Sequence, residues 1–241
     1  MPKNKTEEAE GVSRTEGGAV KTVVIACRTI EDELGAAMAR TGTAELPVRW
    51  LESGLHNTPN KLTVRLQEEI DAADADRVLL GLAFCGNSLA GIRANRCELI
   101  VPRADDCISV LLGSVARRAE LNRALAAFYL TQGWLRGERN ALVEYRKTVE
   151  EYGEETAEEL MAMIYGNYRT LCVLDCGIAD AAAVAREAAP MAEALHLQQR
   201  TVPATLRWLE DLLTGPWDED RFLRLSPGGQ IRPSDLALPL S

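Results

Sequence analysis

The chain has 241 residues, 46% hydrophobic and 26% charged, so we expect a globular protein with a sizeable hydrophobic core. A formal net charge of −9 without a basic block argues against nucleic acid as a partner. No apolar run reaches the roughly 18 residues of a membrane span, and the polar start MPKNKTEEAEGVSRTEGG is unlike a secretory leader. We therefore expect a cytoplasmic protein, in which six cysteines are thiols or metal ligands rather than disulfides.

The first half of the chain alternates short apolar runs with helical patterns. Residues 1–20 carry charge and glycine with little to bury, which predicts a disordered tail. The apolar runs predict four strands, at residues 22–27, 47–51, 78–84 and 98–102. Helical periodicity comes after each of the first two strands, so the pattern predicts a mostly parallel, doubly wound α/β sheet.

The second half of the chain is mainly helical. Residues 115–165 predict a helical insertion, and a fifth strand is expected at 171–175, ending at Cys176. Helices are predicted at 181–196 and 205–213. We expect one α/β domain over residues 21–225, and then a loop-like C-terminal tail at 226–241.

Three cysteines come after predicted strands. Cys27, Cys85 and Cys107 lie at or shortly after strand ends, and parallel strands bring their carboxyl ends to one edge of the sheet, where open α/β folds place their sites. Three thiolates can hold zinc with one open position, or a [4Fe–4S] cluster with one iron free for substrate. The sequence therefore predicts a metal site, and the alternative is that these cysteines are small buried apolar residues.

The other cysteines point less clearly to a site. Cys97 and Cys172 lie away from strand ends, so we interpret them as buried apolar residues. Cys176 is either a fourth ligand or a small residue beside Gly177.

Three polar residues near the same edge are candidates for orienting a small substrate. Arg103 has a guanidinium suited to a carboxylate or phosphate, unless it forms an ion pair with Asp105 or Asp106. Asn87 is a candidate amide donor or a turn cap, and His56 a candidate site residue or an ordinary hydrogen-bonding loop residue. The glycines near Cys85 do not form a phosphate-binding pattern, so a nucleotide site has no support.

Seven blocks of this sequence, taken in order, resemble the domain-of-unknown-function family 1638 (DUF1638). They are ACRTIEDEL, GLHNTPNKL, FCGNSLAGI, VPRADDCISVLLGS, TQGWL, YGNYRTL and GPWDEDRFL, spread over about residues 22–225. In the family pattern a histidine occupies the place of Asp105, so the resemblance implies no His–Cys zinc pair here, while a three-cysteine site is unaffected. The resemblance also implies a corrinoid or a partner protein of a corrinoid-dependent methyl-transfer system as a candidate partner.

These residues support three hypotheses for the function. The first is a metalloprotein in which Cys27, Cys85 and Cys107 hold an iron–sulfur cluster or zinc, acting on a small substrate as a lyase or as a methyl or thiol transferase. The second is a non-catalytic carrier or chaperone for a metal or corrinoid. The third is a metal-free enzyme in which one cysteine is the nucleophile.

Overall fold

The computed structural model describes residues 20–137 and 140–238, and its strands form two separate sheets. The predicted disordered tail lies outside the described residues apart from Val20, which is exposed. In chain order the described strands are β1 (Thr22–Cys27), β2 (Val48–Leu51), β3 (Arg77–Gly81), β4 (Glu98–Pro102), β5 (Ala127–Leu130), β6 (Thr170–Asp175), β7 (Gln198–Pro203) and β8 (Phe222–Leu225).

The described helices lie between these strands. They are α1 (Glu31–Thr41), α2 (Pro59–Asp71), α3 (Cys107–Leu112), α4 (Val115–Leu125), α5 (Gln132–Leu135), α6 (Ala141–Tyr152), α7 (Glu154–Tyr165), α8 (Ala181–Ala194) and α9 (Arg207–Thr214). Local sequence explains several of their ends. Proline is the first residue of α2, acidic residues occupy the first turn of α1, and Gly42 ends α1 in the left-handed conformation. None of the helices in the described ranges is long and apolar enough to span a bilayer.

The first sheet has the order β2-β1-β3-β4-β8, parallel except that β8 runs antiparallel to β4. The predicted α/β class is confirmed, and so are the strand positions, with one difference. The third strand ends at Gly81, not at residue 84, because the chain leaves the sheet and the Phe84 N–H donates to the Ala104 carbonyl. Residues 82–84 are buried although they lie outside the strand, which explains why the apolar run at 78–84 is longer than the strand itself.

The second sheet, β5-β6-β7, is wholly parallel and corrects the expectation of a single sheet. Its middle strand β6 is the predicted fifth strand, which does not join the first sheet. The predicted helical insertion at 115–165 contains β5, whose four apolar residues are too few to stand out from the helical pattern around them. The outer strand β7 is mostly exposed and polar, so it carries no apolar run that would predict it.

The segment after β8 also differs from the expected tail. Ile231 is fully buried and its N–H donates to the Ile92 carbonyl at 2.8 Å. Gln230 forms a bridge with Arg93, so residues 226–238 continue the packing of the domain.

The two sheets share a core. Alternate residues of β1 point to opposite faces: Val23 and Ile25 join one cluster, while Val24 and Ala26 join another. The cluster that contains Val24 also contains Tyr129 of β5 and residues of β6 and β7. This cluster also contains residues of α1 and α9, so the core continues from one face of the first sheet through these two helices to the second sheet.

Candidate functional site

The structure brings the three predicted cysteines to neighbouring strands of the first sheet. Cys27 is the last residue of β1, Cys85 lies shortly after the end of β3, and Cys107 is the first residue of α3, after β4. Strands β1, β3 and β4 are adjacent in the sheet. Because neighbouring strands lie only about 4.8 Å apart, the loops at their carboxyl ends meet at one edge.

The thiols are close enough to act on one another electrostatically. The pKa of Cys85 is raised to about 12, mainly by burial and in part by the nearby Cys27, Asp106 and Asp105. Burial also raises the pKa of Cys107 well above its usual value, with additional contributions from Asp106, Cys85 and Cys27. Three thiols and two carboxyl groups therefore share one neighbourhood.

These side chains do not yet form a ligand set. Within residues 20–137 and 140–238, no group of three or more His, Cys, Asp or Glu side chains is arranged so that it could hold a metal ion. The Cys27 Sγ lies 3.0 Å from the Thr29 Oγ1 instead. That the three thiols share a metal therefore stays a prediction.

The backbone at Cys85 is strained. Cys85 has φ 44°, in the left-handed region that side-chain-bearing residues rarely adopt, and the next residue, Gly86, has φ 71°. Such strain costs about 1–3 kcal/mol and tends to occur at functional sites. The turn is stabilised by Ser88, whose hydroxyl donates to the Phe84 carbonyl at 2.9 Å.

Asp105 and Asp106 lie beside the thiols and have different surroundings. The Asp106 carboxylate accepts from the backbone N–H groups of Ile108 and Ser109, at 3.0 and 3.1 Å, and forms an ion pair with Arg118. Asp105 Oδ1 is buried without a hydrogen-bond partner among the described residues. An orphaned carboxylate oxygen next to thiols is an unusual cost for a fold to carry without a ligand.

His56 belongs to this site. It lies in a short 3₁₀ turn, Leu55–Asn57, and its ring is stacked against that of Trp134, with centroids 6.2 Å apart and planes inclined by 25°. Burial lowers the pKa of His56, and the nearby Asp106 opposes that shift. The histidine is thus held between the carboxyl edge of the first sheet and helix α5 beside the second.

The other two candidate residues are directed elsewhere. The Arg103 guanidinium donates to the Asp235 carbonyl at 3.3 Å, so it contacts the C-terminal segment rather than Asp105 or Asp106. Asn87 is exposed in the turn after Cys85, where its carbonyl accepts from the Ala90 N–H at 3.0 Å. This is the turn role considered for it as the alternative.

The remaining cysteines are buried. Cys97 and Cys172 are 2% and 0% exposed, which confirms their interpretation as small apolar residues. Cys176, at the end of β6, is also buried, and its pKa is raised to about 12 by burial and then by Glu33 and Asp175. It therefore lies near Glu33 and Asp175.

Glu33 is a buried carboxyl that the sequence pattern did not single out. It is 2% exposed, and burial raises its pKa to about 7, with Asp32 adding to the shift and Thr131 and Arg136 opposing it. Its Oε2 and the Thr131 Oγ1 are both buried without a partner in the described part of the chain. Its place in the acidic first turn of α1 made it indistinguishable from the ordinary dipole-stabilising residues around it.

Two cavities lie between the segments that follow strands of the first sheet and the β5–α5 segment of the chain. The larger, about 530 Å³, is lined from the first sheet by Arg28, Thr29 and His56 among others. The smaller, about 430 Å³, is lined by Asp106, Ile108 and Arg118. Phe128 and Trp134 line both cavities.

Arg118 and Trp134 were also missed as site residues. Arg118 lies in a helical stretch that carries no local sign of its contact with Asp106, which depends on how α3 and α4 pack. Trp134 lies in the block TQGWL, which carried the family resemblance but assigned no role to the tryptophan. A large aromatic residue directly after a glycine was the available signal.

One family model matches most of the chain. It is described as "Protein of unknown function (DUF1638)" and matches residues 50–213, which include His56, Cys85 and Cys107. No curated protein and no solved structure matches the chain.

Proposed function

This chain belongs to the DUF1638 family, and we propose that it binds a metal centre, a [4Fe–4S] cluster or zinc, through Cys27, Cys85 and Cys107, and acts there on a small molecule. One observation carries the proposal. Thiols from the ends of three adjacent strands lie within electrostatic reach of one another and of two aspartates. This arrangement suits a cation, because only a positive charge would offset the mutual repulsion of deprotonated thiols and carboxylates.

The raised pKa values argue against a metal-free nucleophile at two of the three positions. A cysteine nucleophile must be a thiolate near neutral pH, which requires a lowered pKa. Cys85, with a pKa of about 12, and Cys107, whose pKa is raised well above the usual value, are protonated thiols at that pH. A coordinating metal ion displaces the proton from a thiol, so these values are compatible with ligands of a metal.

Metal binding would require the thiols to move closer together, and the energies allow it. Zinc binding to thiolate sites releases about 10–16 kcal/mol. Rearranging a strained turn costs about 1–3 kcal/mol. The turn that carries Cys85 is such a segment, and its strain would change with the position of the thiol.

Three protein ligands leave a coordination position for substrate. The metal would supply Lewis acidity to a substrate oxygen or sulfur. His56 is the group best placed to handle a proton, because burial lowers its pKa and keeps the imidazole neutral at pH 7. The charge of Asp106 partly opposes this shift, so it would stabilise the imidazolium formed when His56 takes up a proton.

The test is the metal content of protein purified without oxygen. Iron, acid-labile sulfide and zinc are measured per chain, together with the absorption spectrum. We expect close to one zinc or one cluster per chain, the cluster giving a brown colour and broad absorption near 400 nm. Protein that is metal-free from an iron- and zinc-replete culture, and remains so after anaerobic reconstitution, would overturn the proposal.

Cysteine variants identify the ligands. Cys27→Ser, Cys85→Ser and Cys107→Ser should each lose most of the metal, while the buried Cys97→Ser and Cys172→Ser serve as matched controls that keep it. The far-ultraviolet circular dichroism of all five variants should show a folded protein. Equal metal loss in the controls would mean that the metal depends on overall stability, not on these three thiols.

A further inference from the structure

We infer that the cleft formed by these two cavities, beside the residues that neighbour Cys27 and Cys107 in the chain, binds a planar conjugated ring that carries a hydrogen-bond acceptor. The inference deepens the proposed function by naming the class of molecule that the site takes. It rests on that function only for the idea that the thiols act on the bound ring. The cleft itself is argued from its walls.

The two cavities are lined by residues that neighbour two of the three cysteines in the chain. Arg28 and Thr29, the two residues after Cys27 in the chain, line the larger cavity. Asp106 and Ile108, on either side of Cys107, line the smaller one. Each volume, about 530 and about 430 Å³, lies within the roughly 300–1,000 Å³ of small-molecule sites.

The walls favour a flat ring. Four aromatic side chains line the smaller cavity: Phe128, Tyr129, Trp134 and Tyr168. In the larger cavity, the rings of His56, in the 3₁₀ turn after β2, and Trp134, in α5, are stacked with planes inclined by 25° and centroids 6.2 Å apart. A ring inserted between them needs two stacking contacts of about 3.5 Å, or roughly 7 Å in all, so the two rings must move apart by about 1 Å or more. A small opening of the cleft would admit a ring between them.

Trp134 is held firmly in this position. The residue before it, Gly133, packs so closely that a Cβ there would lie 2.4 Å from the Thr29 carbonyl oxygen. This contact joins helix α5 to the segment just after Cys27. The position of the indole is therefore tied to that of the thiol edge.

Arg118 indicates what the ring carries. Its Nη1 is paired with Asp106, its guanidinium lies over the Tyr129 ring at 5.2 Å, and its buried Nε has no partner among the described residues. The Asp106–Arg118 pair is neutral as a whole, so the free N–H favours a carbonyl oxygen or ring nitrogen over a free anion. A conjugated heterocycle or aromatic amide has both features.

The experiment compares benzamide with cyclohexanecarboxamide, two neutral amides of similar size of which only the first has an aromatic ring. Binding to the purified full chain is measured by ligand-observed NMR at millimolar concentration. We expect benzamide to bind about two- to tenfold more tightly, the range of one aromatic stacking contact. No benzamide binding, or equal affinity for the two amides, would overturn the inference.

Two variants locate the ring. Trp134→Leu should weaken benzamide by a similar factor, with Trp217→Leu as its control, since Trp217 packs against Arg77 at the opposite edge of the first sheet. Arg118→Lys keeps the charge opposite Asp106 but removes the Nε donor, and should also weaken benzamide. The control Arg117→Lys, at the neighbouring position, should leave the benzamide affinity unchanged. Unchanged affinity in both Trp134→Leu and Arg118→Lys would place the ring elsewhere and refute the inference.

A further variant separates this inference from the proposed function. Cys107→Ser should lose metal yet keep benzamide affinity within about twofold, because the aromatic walls remain. If the protein binds benzamide but never takes up metal, the inference about the cleft is supported and the metal proposal is wrong. If the protein takes up metal but does not bind benzamide, the metal proposal is supported and the inference about the cleft is wrong.

Discussion

The two sheets present their strand ends to the same cleft but contribute different chemistry. The first sheet brings Cys27, Cys85 and Cys107, with Asp105 and Asp106 beside them. The second brings mainly aromatic side chains, Phe128 and Trp134 among them. Its one cysteine at a strand end, Cys176, is buried next to Glu33 instead.

This difference in side chains shows that two parallel sheets can contribute different groups to one site. Both sheets are parallel where it matters, so the position of a residue at a carboxyl end does not decide its role. The neighbours do: Cys85 and Cys107 lie near other thiols and aspartates, while Cys176 is buried near Glu33 and Asp175. In the proposed site, the first sheet would supply the metal ligands and the second would supply aromatic walls for a ligand.

The largest expected effect concerns thiol reactivity at the first sheet. With its pKa raised to about 12, Cys85 should contain about a thousandfold less thiolate than an ordinary cysteine of pKa about 9. We expect iodoacetamide at pH 8 to alkylate Cys85 at least about a hundredfold more slowly in the folded, metal-free protein than in urea. Peptide mass spectrometry measures both rates, and rapid alkylation in the folded state would revive the nucleophile hypothesis.

A core substitution tests whether the two sheets unfold together. Leu171 of β6 is fully buried, so Leu171→Ala should lower the free energy of unfolding by about 2–5 kcal/mol. Because the sheets share a hydrophobic cluster, we expect one transition in denaturant, with circular dichroism and tryptophan fluorescence coinciding. Two separated transitions would show that the sheets are independent folding units.

The interface between the sheets should be sensitive to pH through Glu33. Its pKa is about 7 in the folded protein and 4.5 as the reference value, so folding takes up a proton between these values. The contribution of Glu33 to stability is complete below pH 4.5, falls as pH rises through 7, and is then constant. The loss corresponds to about 3 kcal/mol.

Glu33→Gln removes this dependence because the amide does not ionise. At pH 8 the variant should be more stable than the wild type, and at pH 5 the difference should shrink. Urea unfolding at both pH values measures it, with Glu31→Gln on the exposed side of the same helix turn as the control. Parallel pH profiles for wild type and Glu33→Gln would contradict the buried, proton-binding role.

The smallest effect tests the close packing of the first sheet alone. A Cβ at Gly81 in β3 would lie 2.7 Å from the Ala26 Cβ in β1, so Gly81→Ala should destabilise the protein by about 1–3 kcal/mol. Gly35→Ala in helix α1 has open space around it and should be neutral or slightly stabilising. Thermal unfolding distinguishes the two, and equal melting temperatures would show that β1 and β3 separate easily.

The sequence by itself determined the α/β class, four strands of the first sheet and the placement of three cysteines after them. The strands could be predicted because a strand buried on both faces has a short run of apolar residues. The cysteines could be placed because parallel pairing brings the residues at the carboxyl ends of the strands to one edge of the sheet. It also identified Cys97 and Cys172 as core residues, because they lie inside or away from these runs.

Only the tertiary structure decided how the second sheet is built and which residues complete the site. Strand β7 is exposed and polar, and β5 is four residues long within a helical stretch, so neither has a pattern that exceeds its surroundings. The pairing of Arg118 with Asp106 and the stacking of Trp134 on His56 join residues that are distant in the chain. Such contacts depend on how the elements around the two sheets pack together, and a local sequence pattern does not predict that packing.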